Sequence, residues 1–325
     1  MKALIVGGSG WLGAATAARL RGDGWDVVTL SRARGGLALR GDVRRHRLGL
    51  TPGEASALAD GLTHVISVFG SVDWELGPRA ALDLHLNGTR NVLRFAESCQ
   101  SLERLVHVSS VLALGAARGR VGNRELELGQ AFRNWYEYAK HVAEVEVRAC
   151  HTLPRRIVRL GGVMGASAHG RASTDHGLLA ALPYLLRGYP AHVADGGRFP
   201  VYVGDVAVAA AVLARALVDD RGGLTWTSFD PALPPLAEVL TALCGAWGVV
   251  PRIVNLPPLR WVERAVAPRL GLPAALLEYT KPWVDIDPRV LDELPGDLPP
   301  HPPGYLEATG AALRAFASWP VGRFA

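Results

Sequence analysis

Two tyrosines and a lysine share the stretch NWYEYAK, residues 134–140. On a helix each residue turns about 100° around the axis, so positions four apart share a face and positions two apart point away from each other. Tyr136 therefore stands beside Lys140, and Tyr138 does not. A phenol held next to an ammonium gives up its proton more readily, because the positive charge favours phenolate. The pair is suited to acid and base work, which leaves Tyr138 to pack. Upstream, LVHVSS ends in two hydroxyls, Ser109 and Ser110. At the C-terminal end of a parallel strand they would lie on the edge where ligands of such sheets bind.

Those residues need a scaffold, and the N-terminal segment KALIVGGSGWLGAATAARLRGDGWDVVTLSRAR supplies its first unit. Lys2–Val6 is a short aliphatic run, residues 11–20 have helical spacing, and residues 26–30 are apolar again, which reads as strand, helix and strand. Between the first two lies GGSGWLG, containing both Gly8-x-Gly10-x-x-Gly13 and Gly7-x-x-Gly10-x-x-Gly13. Either pattern gives a tight turn, close backbone approach to a pyrophosphate, and a helix N-terminus whose free amides attract negative charge. A strand ending at Val6 and a helix beginning near Trp11 are the context that a dinucleotide fingerprint requires. Gly7, Ser9, Gly10, Trp11, Leu12 and Gly13 are read as the cofactor cradle.

The second strand ends in Ser31 and Arg32, a hydroxyl and a cation. An acid there would hold the ribose hydroxyls and repel a 2'-phosphate, so NADP(H) is expected ahead of NAD(H). Arg34 and the other arginines of SRARGGLALRGDVRRHR add to the positive field; with no aromatic residues interleaved, they favour a local anion site over a nucleic-acid groove. Asp42 and Val43 fall where the chain would run under the adenine.

The alternation continues, with strands expected at residues 45–48, 64–68, 105–109 and 156–160 and helices over 80–97 and 134–150. Strands that are almost continuously apolar suit a sheet covered on both faces. The expected fold class is α/β: a Rossmann-type doubly wound parallel sheet with a smaller, mostly C-terminal substrate lobe. Residues 1–165 and 200–230 are assigned to the NADP-binding domain, and 166–199 and 231–325 to the lobe. Residues 178–186 read as an apolar helix, Asp205 opens another in YVGDVAVAAAVLARAL, and GLTWTSF is a further strand.

Of 325 residues, 49% are hydrophobic and 20% charged, with a net charge of +5, as in an ordinary soluble globule. No apolar run is long enough to cross a bilayer, and MKALIVGGSG is too short for a secretory leader, so a cytoplasmic location is expected. Cys99, Cys150 and Cys244 are odd in number and far apart, against a disulfide framework or a Cys-x-x-Cys zinc site. His169, Asp175 and His176 form a loose group in a loop-like segment, and no metal is expected there.

Taken in order, the glycine turn, RGDV, NGTRNVL, VHVSS, the tyrosine–lysine pair and VRLGGVMG resemble the extended short-chain dehydrogenase/reductase superfamily, of the NAD-dependent epimerase/dehydratase kind, over roughly the first 220 residues. The resemblance implies that Ser110 is the active hydroxyl and Ser109 structural. It implies that Tyr136 donates and accepts the proton, and that Lys140 holds the nicotinamide ribose and depresses the tyrosine pKa. Asn87 resembles the asparagine that braces the neighbouring strand or carries a water in proton relay. Val68, Phe69, Gly70, Leu160 and Val163 complete the implied cofactor contacts. Phe69 and Gly70 stand where two small residues are usual, so Phe69 is expected to narrow the site, and Leu160 replaces a common proline. SVDWELGPRAALDLHLNGT, RLGGVMGASAHG and LSRAR are similar to the thioester-reductase and fatty-acyl-reductase branch, with Ala166 in place of an aspartate and His169 before Gly170. Without that branch's carrier domain, a free-standing reductase is implied.

Hydride transfer to a carbonyl carbon builds charge on oxygen, so a donor is needed there; Ser110 and Tyr136 answer that need. The segment NLPPLRWVERAVAPRLGLPAALLEYTKPW is rich in Leu, Pro, Val and Trp, which leans toward an apolar carbonyl substrate: aldehyde, ketone or acyl thioester. The alternatives are a nucleotide-sugar epimerase or dehydratase that keeps NAD bound, and a non-catalytic NADP-sensing module. No nucleic-acid partner and no membrane span are expected; a homodimer is a family expectation.

Overall fold

The computed structural model describes residues 1–32, 39–166, 177–255 and 274–316. The chain begins with β1 (Lys2–Val6), α1 (Trp11–Gly22), β2 (Asp26–Ser31) and β3 (Leu39–Arg40), followed by α2 (Pro52–Ala59) and β4 (His64–Ser67). It continues through α3 (Pro78–Leu82), α4 (Gly88–Glu97), β5 (Arg104–Ser110), α5 (Trp135–Ala149), β6 (Arg155–Leu160), α6 (Val206–Val218) and β7 (Thr225–Ser228). The seven strands form one sheet in the order β7-β6-β5-β4-β1-β2-β3, every pair parallel. The chain builds outward from β1 to β3, then crosses back to β4 on the other side of β1. In such sheets a ligand crevice opens at this reversal, outside the strands' C-terminal ends.

Leu4, Ile5, Val65, Ile66, Val106 and Val158 are fully buried, which a sheet covered on both faces demands. Ile5, Val106 and Val158 pack with Ala17 and Leu20 of α1 and Val212 and Leu213 of α6. Leu4, Val65 and Leu105 pack on the opposite face with Val92 and Phe95 of α4 and Val147 of α5. A further apolar cluster joins Leu182, Leu186, Leu240, Leu243, Tyr279 and Leu313 to Val111, Leu112 and Tyr136. Asp205 caps α6 by accepting from the amides of Ala207 and Val208, as its position in the sequence implies.

Three elements differ from the sequence expectation. Residues 45–48 are not a strand: β3 is only Leu39–Arg40, and His46–Gly49 forms a tight turn with Arg47 and Leu48 at φ 51° and 58°. Leu48 is drawn fully into the core there, and its carbonyl comes so close to Gly41 that a Cβ on that glycine would lie 2.6 Å away. The helix expected over 80–97 is divided by a single π-helical turn, Asp83–Asn87, between α3 and α4. The apolar helix expected over 178–186 opens as a 3-10 turn, Gly177–Ala181, before one short α-helix, Leu182–Leu186.

Among the described residues no helix is long and apolar enough to cross a membrane, and no group of three His, Cys, Asp or Glu could hold a metal ion. Arg34, His169, Asp175, His176 and most of the Leu- and Pro-rich segment after Asn255 lie outside the described residues.

Candidate active site

Ser110 is the last residue of β5, and Tyr136 and Lys140 occupy consecutive turns of α5. Asn134 starts that helix, its side-chain oxygen accepting from the Glu137 amide at 3.0 Å, so Tyr136 is fixed within the first turn. The Ser110 Oγ accepts from the Leu112 amide at 3.1 Å, and Ser110 stands near enough to the Tyr136 phenol to pull its pKa down. Lys140 Nζ donates to the Val108 carbonyl, two residues before Ser110, at 3.1 Å. The three side chains converge at the C-terminal end of β5, and all are buried.

Strand alternation separates the two serines. Ser109 Oγ donates to Glu144 at 2.7 Å. Glu144 is also held by Arg159 at 2.7 Å, both fully buried, and by Arg148 at 3.1 Å. Ser109, Glu144 and Arg159 thus lock β5, α5 and β6 together behind Ser110.

The electrostatics correct one expectation. Burial pushes the Tyr136 phenol up to about 12; Ser110 pulls it down and the Glu137 charge pushes it up, with no lowering by Lys140. Burial in turn brings Lys140 down to about 8, opposed by Glu144. The ammonium is turned to the Val108 carbonyl, and desolvation outweighs the expected charge effect on the tyrosine.

The glycine turn lies at the same sheet edge. Gly7 has φ 95°, and a Cβ on it would lie 2.7 Å from the Phe69 backbone. A Cβ on Gly13 would collide with the Gly7 carbonyl, which brings α1 close to β1. Gly10 caps α1 with no side-chain bond, and the first turn, with Trp11, Leu12 and Gly13, contains no acid. A helix N-terminus with no side-chain cap and no acid in its first turn fits a pyrophosphate. Ser9 and Gly10 are exposed, as is Arg32 after the buried Ser31. Asp42 is clamped by Arg44 at 2.6 Å, whose guanidinium holds its carboxyl below the usual range; the Val43 carbonyl accepts from Asn91 at 2.8 Å.

Val68, Phe69 and Gly70 continue from β4 toward Lys140. The Phe69 ring is turned aside against Gly88, 2.7 Å from where a Cβ would be. Leu160 and Val163 lie together at the far end of β6, lining a small cavity with Gly204 and His301. Asn87 departs from its expected place: it is exposed, and its amide donates to Asp83 at 3.4 Å. His85, on the same π-turn, is buried instead, its ring edge-on to Tyr136 with centroids 5.6 Å apart. The signal for it was the stripe Ala81, His85, Thr89, Val92 and Ala96, buried at helical spacing.

Also missed was a clasp around the start of α5. Glu137, fully buried, pairs with Arg133 at 2.8 Å and accepts from the Tyr279 hydroxyl at 2.7 Å. Asn134 donates to the same hydroxyl at 2.9 Å. Trp74 stacks on the Tyr279 ring, centroids 3.8 Å apart. These partners come from three distant segments, so no local pattern announces them.

The sequence profile of the family described as Male sterility protein, an NAD-binding domain, matches residues 6–210, from the end of β1 into α6. The chain belongs to that family. It is 26% identical over 147 residues to a Drosophila melanogaster protein named as a fatty acyl-CoA reductase, covering 37% of this chain and 28% of that protein. It is 27% identical over 146 residues to the N-benzoylphenylalaninol synthetase of Penicillium brevicompactum, covering 42% of this chain and 6% of that protein. The matches thus span well under half the length of these relatives. Among solved structures, the terminal R domain from the myxalamid PKS-NRPS biosynthetic pathway superposes with a TM-score of 0.80 at 22% identity, covering 98% of this chain and 92% of that one. A Bacillus cereus UDP-glucuronic acid 4-epimerase variant gives 0.70 at 16% identity, covering 98% and 100%. Both share the fold, a parallel α/β sheet flanked by helices.

Proposed function

We propose that the chain is an NADP(H)-dependent oxidoreductase acting on an apolar substrate: an aldehyde or ketone interconverted with its alcohol, or an acyl thioester reduced to the aldehyde with release of its thiol. The observation that carries this reading is the convergence of Ser110, Tyr136 and Lys140 at the sheet edge that also holds the uncapped glycine turn. Gly7, Gly10 and Gly13 would hold the pyrophosphate, Ser31 and Arg32 the 2'-phosphate, and Lys140 the nicotinamide ribose. The bound dinucleotide supplies or takes the hydride. Ser110 and Tyr136 hydrogen-bond the carbonyl oxygen, and Tyr136, kept protonated by burial, delivers its proton as that oxygen gains charge. Trp74, Leu112 and Tyr279, in one apolar cluster with Tyr136, favour an apolar substrate body. The fatty acyl-CoA reductase relative is consistent with it.

NADPH oxidation across aldehydes, ketones, acyl thioesters and steroids tests the proposal, together with Tyr136→Phe. Turnover should fall by about a thousandfold or more with loss of the proton donor, while NADPH binding, read by fluorescence, survives. A variant that keeps wild-type turnover overturns the role given to Tyr136. Silence of the wild type across the whole panel, with NAD found bound, would move the assignment toward epimerase or dehydratase chemistry.

A further inference from the structure

The helix Tyr305–Phe316 and the turn before it lie against a short parallel pair of strands, Gly162–Met164 and Val203–Asp205. Thr309 and His301 fasten them there. Thr309 Oγ1 accepts from the Gly165 amide at 2.5 Å, and His301 Nδ1 accepts from the Asp205 amide at 3.0 Å. Each amide stands at the end of one of the two strands, and both residues are buried, where an unpaired N–H is costly.

The hydroxyl can accept at any pH, but the imidazole cannot. A ring nitrogen accepts only while it carries no proton, so the bond to Asp205 requires a neutral ring with its hydrogen on Nε2. The ring is pressed on the strand itself: a Cβ on Gly204 would lie 3.0 Å from His301 Cε1, and Gly204 pairs directly with Val163. His301 and Val163 also line one small cavity, together with Leu160 and Ser228. The C-terminal segment thus backs the strand end that holds Leu160 and Val163, the cofactor contacts implied by the family resemblance.

Among the described residues, the charged groups acting on the ring are Asp230, after β7, and Asp205, at the start of α6. On its own segment the ring is tilted against Tyr305, centroids 5.8 Å apart; Glu307, farther along, acts on Tyr305. Burial holds the imidazole below its ordinary 6.5, against the pull of Asp230 and Asp205. A proton added to Nδ1 leaves two donors facing each other at the Asp205 amide, and both carboxylates draw the charged ring away from it.

We propose that His301 is a proton-operated latch. Neutral, it holds the helix Tyr305–Phe316 against the strand Val203–Asp205; protonated, it lets go, and the Val163 strand end loses its backing. The folded protein takes this proton less readily than the unfolded chain, so the hold is complete above 6.5 and is lost as pH falls through the lower folded value. On the proposed cofactor reading, and resting on it, the dinucleotide then binds less tightly in acid.

Hydrogen exchange of the whole, ligand-free chain, corrected for intrinsic rates, reads the latch without cofactor or substrate. In the wild type, exchange across residues 305–316 should quicken relative to α1 by about tenfold between about pH 7.5 and about pH 5, the scale of one buried hydrogen bond lost. His301→Asn, whose amide oxygen takes the place of Nδ1 and does not titrate, should show no such change; His301→Ala should exchange fast at both values. A wild type that does not respond, or His301→Asn responding as strongly, overturns the proposal. Nitrogen-15 NMR of the wild-type imidazoles requires no variant to fold well: the Nε2–H tautomer is expected at His301 at neutral pH, and an Nδ1–H tautomer rejects the latch. NADPH titration by fluorescence at the same two pH values tests the consequence for binding, with affinity lost in acid by the wild type and kept by His301→Asn. If exchange responds as expected while NADPH binds at neither pH, the cofactor reading fails and the latch stands.

Discussion

At the scale of single residues, the site combines a phenol made harder to ionise with an ammonium made easier to discharge, both by burial. The spacing of Tyr136 and Lys140 was legible in the sequence; the balance between charge and desolvation was not, because it depends on what covers the helix. The lysine shows the consequence for stability. Its pKa near 8 in the folded protein lies below the ordinary 10.5. Between those values the unfolded chain binds the proton that the folded chain has lost, so stability rises with pH through that window and the full penalty is present below it. Lys140→Met removes the penalty. It should stabilise the protein at pH 7 by up to about 3 kcal/mol while turnover is lost. In thermal melts the gain over wild type should shrink between pH 8 and 10.5. A variant less stable than wild type at pH 7 would mean that the ammonium is better satisfied than its burial implies.

At the scale of elements, helix α5, which carries Tyr136 and Lys140, is set from both ends. Behind it, Ser109, Glu144 and Arg159 join it to β5 and β6; at its start, Arg133, Asn134 and Glu137 tie it to Tyr279 in the C-terminal part of the chain. The strands and α1 were readable from apolar runs and glycine spacing, since those report local backbone demands. The π-turn was not, because its heptad-like stripe is compatible with an ordinary helix, and it is this wider turn that accompanies a buried His85 and an exposed Asn87. Residues 45–48 misled for a similar reason: one buried leucine in a tight turn looks like part of a strand. The clasp makes its own prediction. Tyr279→Phe keeps the ring against Trp74 but removes a hydroxyl that donates to Glu137 and accepts from Asn134. A buried carboxylate left short of one donor should cost about 1–3 kcal/mol, seen in denaturant unfolding. Turnover should fall with it, as the first turn carrying Tyr136 loosens, while dinucleotide affinity stays near wild type because the glycine turn is untouched. Equal loss of both would mean that the segment around Tyr279 and the sheet respond as one body.

For the molecule as a whole, the glycine turn and the hydroxyls proposed to be catalytic are built on the same sheet, on either side of the reversal between β1 and β4. β1 runs into the glycine turn, β2 into Ser31 and Arg32, β4 into Gly70, and β5 into Ser110. A dinucleotide lying across these ends would join both halves of the sheet, so its binding should stabilise the entire fold by mass action: about 2.7 kcal/mol at a hundred times Kd. On the proposed reading, the cation at Arg32 and the hydroxyl at Ser31 would give NADPH an extra anchor that NADH lacks. At equal, moderate concentrations NADPH should therefore raise the melting temperature more than NADH does, and added salt should narrow the difference, since Arg32 is exposed and exposed charges are screened. In Arg32→Asp the order should reverse, because a carboxylate repels the phosphate and accepts from ribose hydroxyls. Equal shifts by the two cofactors in the wild type would remove the 2'-phosphate from this end of β2, and a preference unchanged in Arg32→Asp would move its recognition to another part of the basic stretch.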